Sequence, residues 1–94
     1  MNFEWDEAKR LLNIEKHKID FADAVTIYDD FVYTFPSGHK NIDEERFVSL
    51  GLIQGIEIAV VFTPRNAKRR IISARRARFV ERKKYHAERA KNEN

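Results

Sequence analysis

A chain of 94 residues, 43% hydrophobic and 35% charged, suits one compact domain over residues 1–94 and leaves no room for a multidomain machine. The absence of cysteine excludes disulfides and thiolate metal sites, and no apolar run is long enough to span a bilayer. The net charge of +3 is unevenly placed: residues 1–64 carry 6 basic and 12 acidic side chains, net −6, and residues 65–94 carry 12 basic and 3 acidic, net +9.

The opening residues, Met1-Asn2-Phe3-Glu4-Trp5, lack the basic start and apolar core of a targeting peptide, so a cytoplasmic location is expected. Phe3 and Trp5 alternate with Glu4 as a short strand does. Asp6 is placed to cap a helix over about residues 6–17, with Ala8, Leu11 and Leu12 as its apolar side. Asp20 is placed to cap a second, over about residues 21–28, where Phe21, Ala24, Val25 and Tyr28 fit helical spacing. From residue 31 the period changes to two. A strand over 31–35 stops at Pro36-Ser37-Gly38, and a polar loop covers 38–45. A strand over 46–53 places Arg46, Val48, Leu50 and Leu52 on one face, and Gln54-Gly55 turns the chain.

Ile56, Ile58, Val60 and Phe62 alternate in the next strand, ended by Thr63-Pro64 and a loop over 65–68. Residues 70–75 read as a further strand, with Ile71, Ser73 and Arg75 on one face and Ile72, Ala74 and Arg76 on the other. A final helix covers about residues 77–91. The order β-α-α-β-β-β-β-α with short connections between successive strands describes an α+β domain with an antiparallel sheet.

In the last helix Arg78, Arg82, Tyr85 and Arg89 stand at i, i+4, i+7 and i+11, one stripe of three guanidiniums and a phenol. Guanidinium forks match phosphate oxygens and an aromatic ring can stack a base, although arginines pairing with Glu81 and Glu88 on a solvated face would look the same. One of Arg75 and Arg76 must lie on the core side of its strand and needs a partner or an anionic ligand there. Arg46 poses the same question, with a structural ion pair as the plainer answer. His17, His39 and His86 lack metal-ligand spacing, so neither a metal nor another cofactor is expected. His17 beside Lys16 could serve acid–base chemistry or simply close a helix. The basic block of the last 30 residues points to a polyanion or an acidic protein partner.

The pieces Phe3-Glu4-Trp5-Asp6, Ala8-Lys9, Asn13, Lys16-His17, Phe21-Ala22-Asp23-Ala24 and Glu45-Arg46 before Gly51 lead to Arg70-Ile71-Ile72-Ser73-Ala74-Arg75-Arg76-Ala77, then Glu81-Arg82 and Tyr85. Together they resemble the BrnT toxins of type II toxin–antitoxin systems over residues 3 to about 85. One departure is Lys18, where the family usually has glycine, which would suit a left-handed helix stop. The resemblance implies a RelE-like fold and a ribonuclease that needs no metal and arrests translation, on or off the ribosome. It also implies a hetero-oligomer with a BrnA-like antitoxin, through which alone operator DNA is bound.

In-line attack of a ribose 2′-OH on the adjacent phosphate needs a base, an acid and positive charge on the phosphoryl oxygens. For a toxin of this kind Arg75 and Arg65 are expected to stabilise the phosphate, and Arg46 to position it or the sheet. Lys16, His17, Glu45 or Tyr85 is expected to move protons, and Arg78, Arg82 and Arg89 to hold RNA. The antitoxin's contact region is expected to be acidic or amphipathic and to cover the basic last helix. A non-catalytic nucleic-acid-binding module or a pure protein-interaction module would show the same charge split.

Overall fold

In a computed structural model that describes residues 1–38 and 44–93, two layers of helix enclose a five-stranded sheet. The expected loop over 38–45, His39 included, lies mostly outside the described residues. The elements are β1 (Phe3–Trp5), α1 (Glu7–His17), α2 (Phe21–Ala24), a 3₁₀ turn (Val25–Asp29), β2 (Tyr33–Pro36), β3 (Phe47–Ile53), β4 (Ile56–Arg65), β5 (Lys68–Arg76) and α3 (Phe79–Glu93). The strands lie in the order β1-β5-β4-β3-β2. The pairs from β2 to β5 are antiparallel, as short connections require. β1 corrects the expectation of a purely antiparallel sheet: it pairs in parallel with β5, so the α+β fold is built on a mixed sheet.

Both aspartate caps form. Asp6 Oδ1 accepts the Lys9 amide at 3.1 Å and Asp20 Oδ1 accepts the Ala22 amide at 2.9 Å. Lys18 takes the left-handed conformation (φ 61°, ψ 31°) that glycine would occupy with less strain, and its amide closes α1 on the Ile14 carbonyl at 2.9 Å.

Alternation along β3 and β4 feeds two cores. Ile58, Val60 and Phe62 pack with Phe21, Ala24 and Ile27 on one face, whereas Val48, Leu50 and Ala59 pack with Tyr85 of α3 on the other. Ile27 takes a buried place that helical spacing assigns to Val25 and Tyr28. After Ala24 the helix tightens to three residues per turn, which aligns residues 21, 24 and 27. This turn presses on the sheet where β3 has no side chain: a Cβ on Gly51 would lie 2.6 Å from Ile27 Cβ.

The expected apolar side of α1 is reversed. Ala8, Leu11 and Leu12 are exposed, and Asn13 is the buried residue. α1 runs along the edge of β5, where β1 pairing has ended at Ile71 and backbone polar groups are open. Asn13 acts as the missing strand. Its Nδ2 donates to the Ala74 carbonyl (2.9 Å) and its Oδ1 accepts from the Ala74 amide (3.2 Å).

Two local irregularities set the faces of β5. Val61 pairs with Ser73 but Phe62 pairs with Ile71, so Ile72 is a bulge residue. The bulge overturns the expected parity: Ile71 and Ala74 both enter the α2-side core, and Ser73 and Arg75 face the side of α3. At the far end β4 continues through Pro64 to Arg65 and turns on Asn66 (φ 53°) and Ala67 (φ 63°), a two-residue connection where a longer loop was expected. Pro64 lies beyond the last β3 pairing, at Phe62, where a missing N–H does not break the sheet interior.

Candidate active site and its family

The bulge, the cover of the β5 edge and the start of α3 meet at one place. Ser73 and Arg75 rise from β5 beside Ile72, Arg46 stands just before β3, and Val48 lies near the start of that strand. Lys16 reaches over from the last turn of α1, and Arg78 and Glu81 come from the corner into α3. Together they line a cleft of about 820 Å³.

Arg75 is fixed by a two-pronged ion pair. Its Nη1 donates to Glu81 Oε1 at 2.7 Å and its Nη2 to Glu81 Oε2 at 3.0 Å, and Nη1 also donates to the Arg76 carbonyl at 3.3 Å. The pair is largely shielded, with 17% of the arginine and 15% of the glutamate side chain exposed. Glu81 Oε1 also accepts the Arg78 amide at 2.7 Å, the third-position carboxylate reaching back to the residue that starts the helix. The Arg75 guanidinium, followed by the Arg78 amide, holds the Glu81 carboxyl below its ordinary pKa, against the opposing effect of burial.

Arg46 pairs with Glu44 through Nε and Nη2, both at 2.9 Å. Four cations, Lys16, Arg46, Arg75 and Arg78, therefore face Glu81 and Glu44 around the cleft, which leaves the balance positive.

His17 stands next to this cluster. With Lys16, Ile72 and Ser73 it lines a smaller hollow that shares those three residues with the cleft. Burial first, then the charges of Lys16 and Arg75, lower the imidazole pKa from its ordinary value, which favours the neutral ring.

Of the other expected site residues, Glu45 is exposed and does not line the cleft. Arg65 sits at the β4–β5 turn, roughly 13 Å of strand away from Val61. Arg82 donates from Nη1 to the Ala77 carbonyl (2.8 Å) and Arg89 from Nε to Glu93 (3.1 Å), so of the helix arginines Arg78 alone is at the cleft.

The stripe of three guanidiniums and a phenol is corrected. Tyr85 is 1% exposed in the α3-side core, where its hydroxyl donates to the Phe31 carbonyl at 3.4 Å. Burial raises the phenol pKa above its ordinary value, and the ring cannot stack a base. Sequence reading assigned Glu81 to a surface pairing and missed its grip on Arg75. The six-residue separation crosses a strand-to-helix corner, to which no periodicity applies.

The family model for "Ribonuclease toxin, BrnT, of type II toxin-antitoxin system" matches residues 5–81. The chain belongs to the BrnT family. A comparison with curated proteins found no match. The BrnT match covers every residue that lines the cleft, from Lys16 to Glu81, and ends before the buried Tyr85 and the outer turns of α3. BrnT toxins act as ribonucleases within toxin–antitoxin pairs, so this chain is a ribonuclease toxin with an antitoxin partner. Among the described residues no helix is long and apolar enough to cross a membrane, and no three His, Asp or Glu side chains cluster as a metal site would.

Proposed function

We propose that this toxin is an endoribonuclease that cleaves RNA in the cationic cleft without a metal ion, halts translation by doing so, and is neutralised by a BrnA-like antitoxin. The observation that carries the reading is the meeting of Lys16, Arg46, Arg75 and Arg78, from four separate elements or corners, around one cleft beside His17. Structural ion pairs account for some of this charge, but they leave an excess of cations that suits a phosphodiester.

In the proposed path Arg75, Arg46 and Arg78 hold the phosphoryl oxygens of the scissile phosphate. Glu81 fixes the Arg75 fork before RNA arrives, and three of its five N–H donors are engaged by the bonds above, which leaves two for phosphate. The neutral His17 imidazole accepts the proton of the adjacent ribose 2′-OH as that oxygen attacks phosphorus. The bond from phosphorus to the 5′-oxygen breaks, and the Lys16 ammonium gives its proton to that leaving oxygen. The products are a 2′,3′-cyclic phosphate and a 5′-hydroxyl end.

The test incubates antitoxin-free toxin with RNA, with and without ribosomes, in the presence of a strong chelator, and maps the new ends. Cyclic phosphate and 5′-hydroxyl ends formed despite the chelator are expected. Binding without cleavage, or cleavage abolished by the chelator, would overturn the proposed chemistry.

A further inference from the structure

His17 lines a second hollow, of about 290 Å³, besides the one that joins the cleft. Arg75 faces the cleft, and its chain neighbour Arg76 lines this second hollow together with Ile58 of the α2-side core. The β3–β4 hairpin supplies much of the wall. Gln54 (φ 50°) and Gly55 (φ 79°) form its two-residue turn, which sets Ile53 opposite Ile56 and leaves Ile56 40% exposed. Three charged residues other than His17 line the hollow, and one of them is occupied: Lys18 Nζ donates to the Glu15 carbonyl at 3.0 Å. The Asp23 carboxylate and the Arg76 guanidinium make no hydrogen bond or ion pair among the described residues. An acceptor and a donor fork thus stand unused in an apolar hollow that begins at the proposed proton acceptor.

Resting on the cleft as the RNA site, we infer that this hollow holds the base of the nucleotide whose 2′-OH attacks, and that Asp23 and Arg76 select guanine there. The order of groups along a nucleotide commits the occupant. With the scissile phosphate on Arg75 and the attacking hydroxyl at His17, the ribose stands at His17, and the next space is the hollow that His17 also lines. A volume of about 290 Å³ suits one ring system, and isoleucine walls cover the faces of a planar base. Guanine presents two N–H donors in line, N1–H and N2–H, to a carboxylate, and two acceptors, O6 and N7, to a guanidinium fork. Adenine at N1 and cytosine at N3 present an acceptor, which the carboxylate repels, and uracil offers a single N–H. The opposite charges of Asp23 and Arg76 cancel, so the hollow adds base selectivity without adding to the positive balance that holds phosphate.

The experiment titrates antitoxin-free toxin with the 3′-monophosphates of guanosine, adenosine, cytidine and uridine by calorimetry, for the parent and for Asp23→Asn, Arg76→Gln and Arg75→Ala. Asp23 and Arg76 are exposed, so their two variants are expected to keep the thermal midpoint of the parent. The parent is expected to bind guanosine 3′-monophosphate at least about tenfold more tightly than the other three. Asp23→Asn and Arg76→Gln should each remove most of that preference, whereas Arg75→Ala should weaken all four nucleotides alike. In end mapping, the cyclic phosphate left by the parent is expected predominantly on guanosine, and that left by the two hollow variants on all four bases. Equal binding of the four nucleotides by the parent would overturn the inference, as would a guanosine preference that both hollow variants keep. Guanosine at the new 5′-hydroxyl ends instead would overturn the placement of the base beside His17. If the parent cleaves no RNA, the chemistry proposed for the cleft fails, while the titrations still decide the hollow.

Discussion

Asn13 and His17 sit one turn apart on α1 and show how much a single side chain can decide. Asn13 fits no apolar pattern, yet it is the buried residue of the helix because the β5 edge offers it an amide and a carbonyl to bond. Replacing it with alanine leaves both Ala74 groups unpaired, and Asn13→Ala is expected to cost roughly 2–4 kcal/mol in denaturant unfolding. A loss no larger than that of an exposed substitution would contradict the strand-like role. His17 has a pKa lowered by burial and two neighbouring cations, so acid pH converts it to the form that cannot accept a proton. The cleavage rate is accordingly expected to fall on the acid side with an apparent pKa below 6.5, and His17→Asn should remove that limb from the pH–rate profile. The sign for stability is the same. The unfolded chain takes up the proton more readily, so folding is favoured less as pH drops below 6.5.

Most elements were legible in the sequence because their periods are strong. Alternation over Ile58, Val60 and Phe62 and the caps at Asp6 and Asp20 lie where patterning puts them. The departures arise where local rules meet tertiary ones. The Ile72 bulge shifts the parity of everything after it, and no residue in Ile71-Ile72-Ser73 announces it. The tight turn before Lys68 was hidden because its second position is Ala67 rather than glycine. Changing it makes a direct test: Ala67→Gly relieves a left-handed alanine and is expected to stabilise the fold by roughly 1 kcal/mol, read as a higher denaturant midpoint. Destabilisation would mean that the turn is not held in that conformation. The candidate site was legible in part. Lys16, Arg46, Arg75 and Arg78 are all residues that the sequence singles out, but that they share a cleft follows from the bulge and the edge packing of α1.

At the scale of the whole molecule, the division between a net −6 scaffold and a net +9 strand–helix unit acquires a location. The positive charge of that unit falls in three places: Arg65, Lys68, Arg69 and Arg70 at the β4–β5 turn, Arg75, Arg76 and Arg78 where β5 enters α3, and the cations of α3, of which Glu88 and Glu93 bind Lys84, Lys91 and Arg89. Where β5 enters α3, the acidic half adds its own cations, Lys16 and Arg46, to the same cleft. In the proposed reading, cleavage of a phosphodiester there depends on the Arg75 fork, which Glu81 holds in place. The most direct test is the RNA cleavage rate of Arg75→Ala, measured on protein whose circular dichroism and thermal midpoint match the parent. A fall of about a hundredfold or more is predicted. Cleavage at the parent's rate would contradict the assignment of the cleft as the active site.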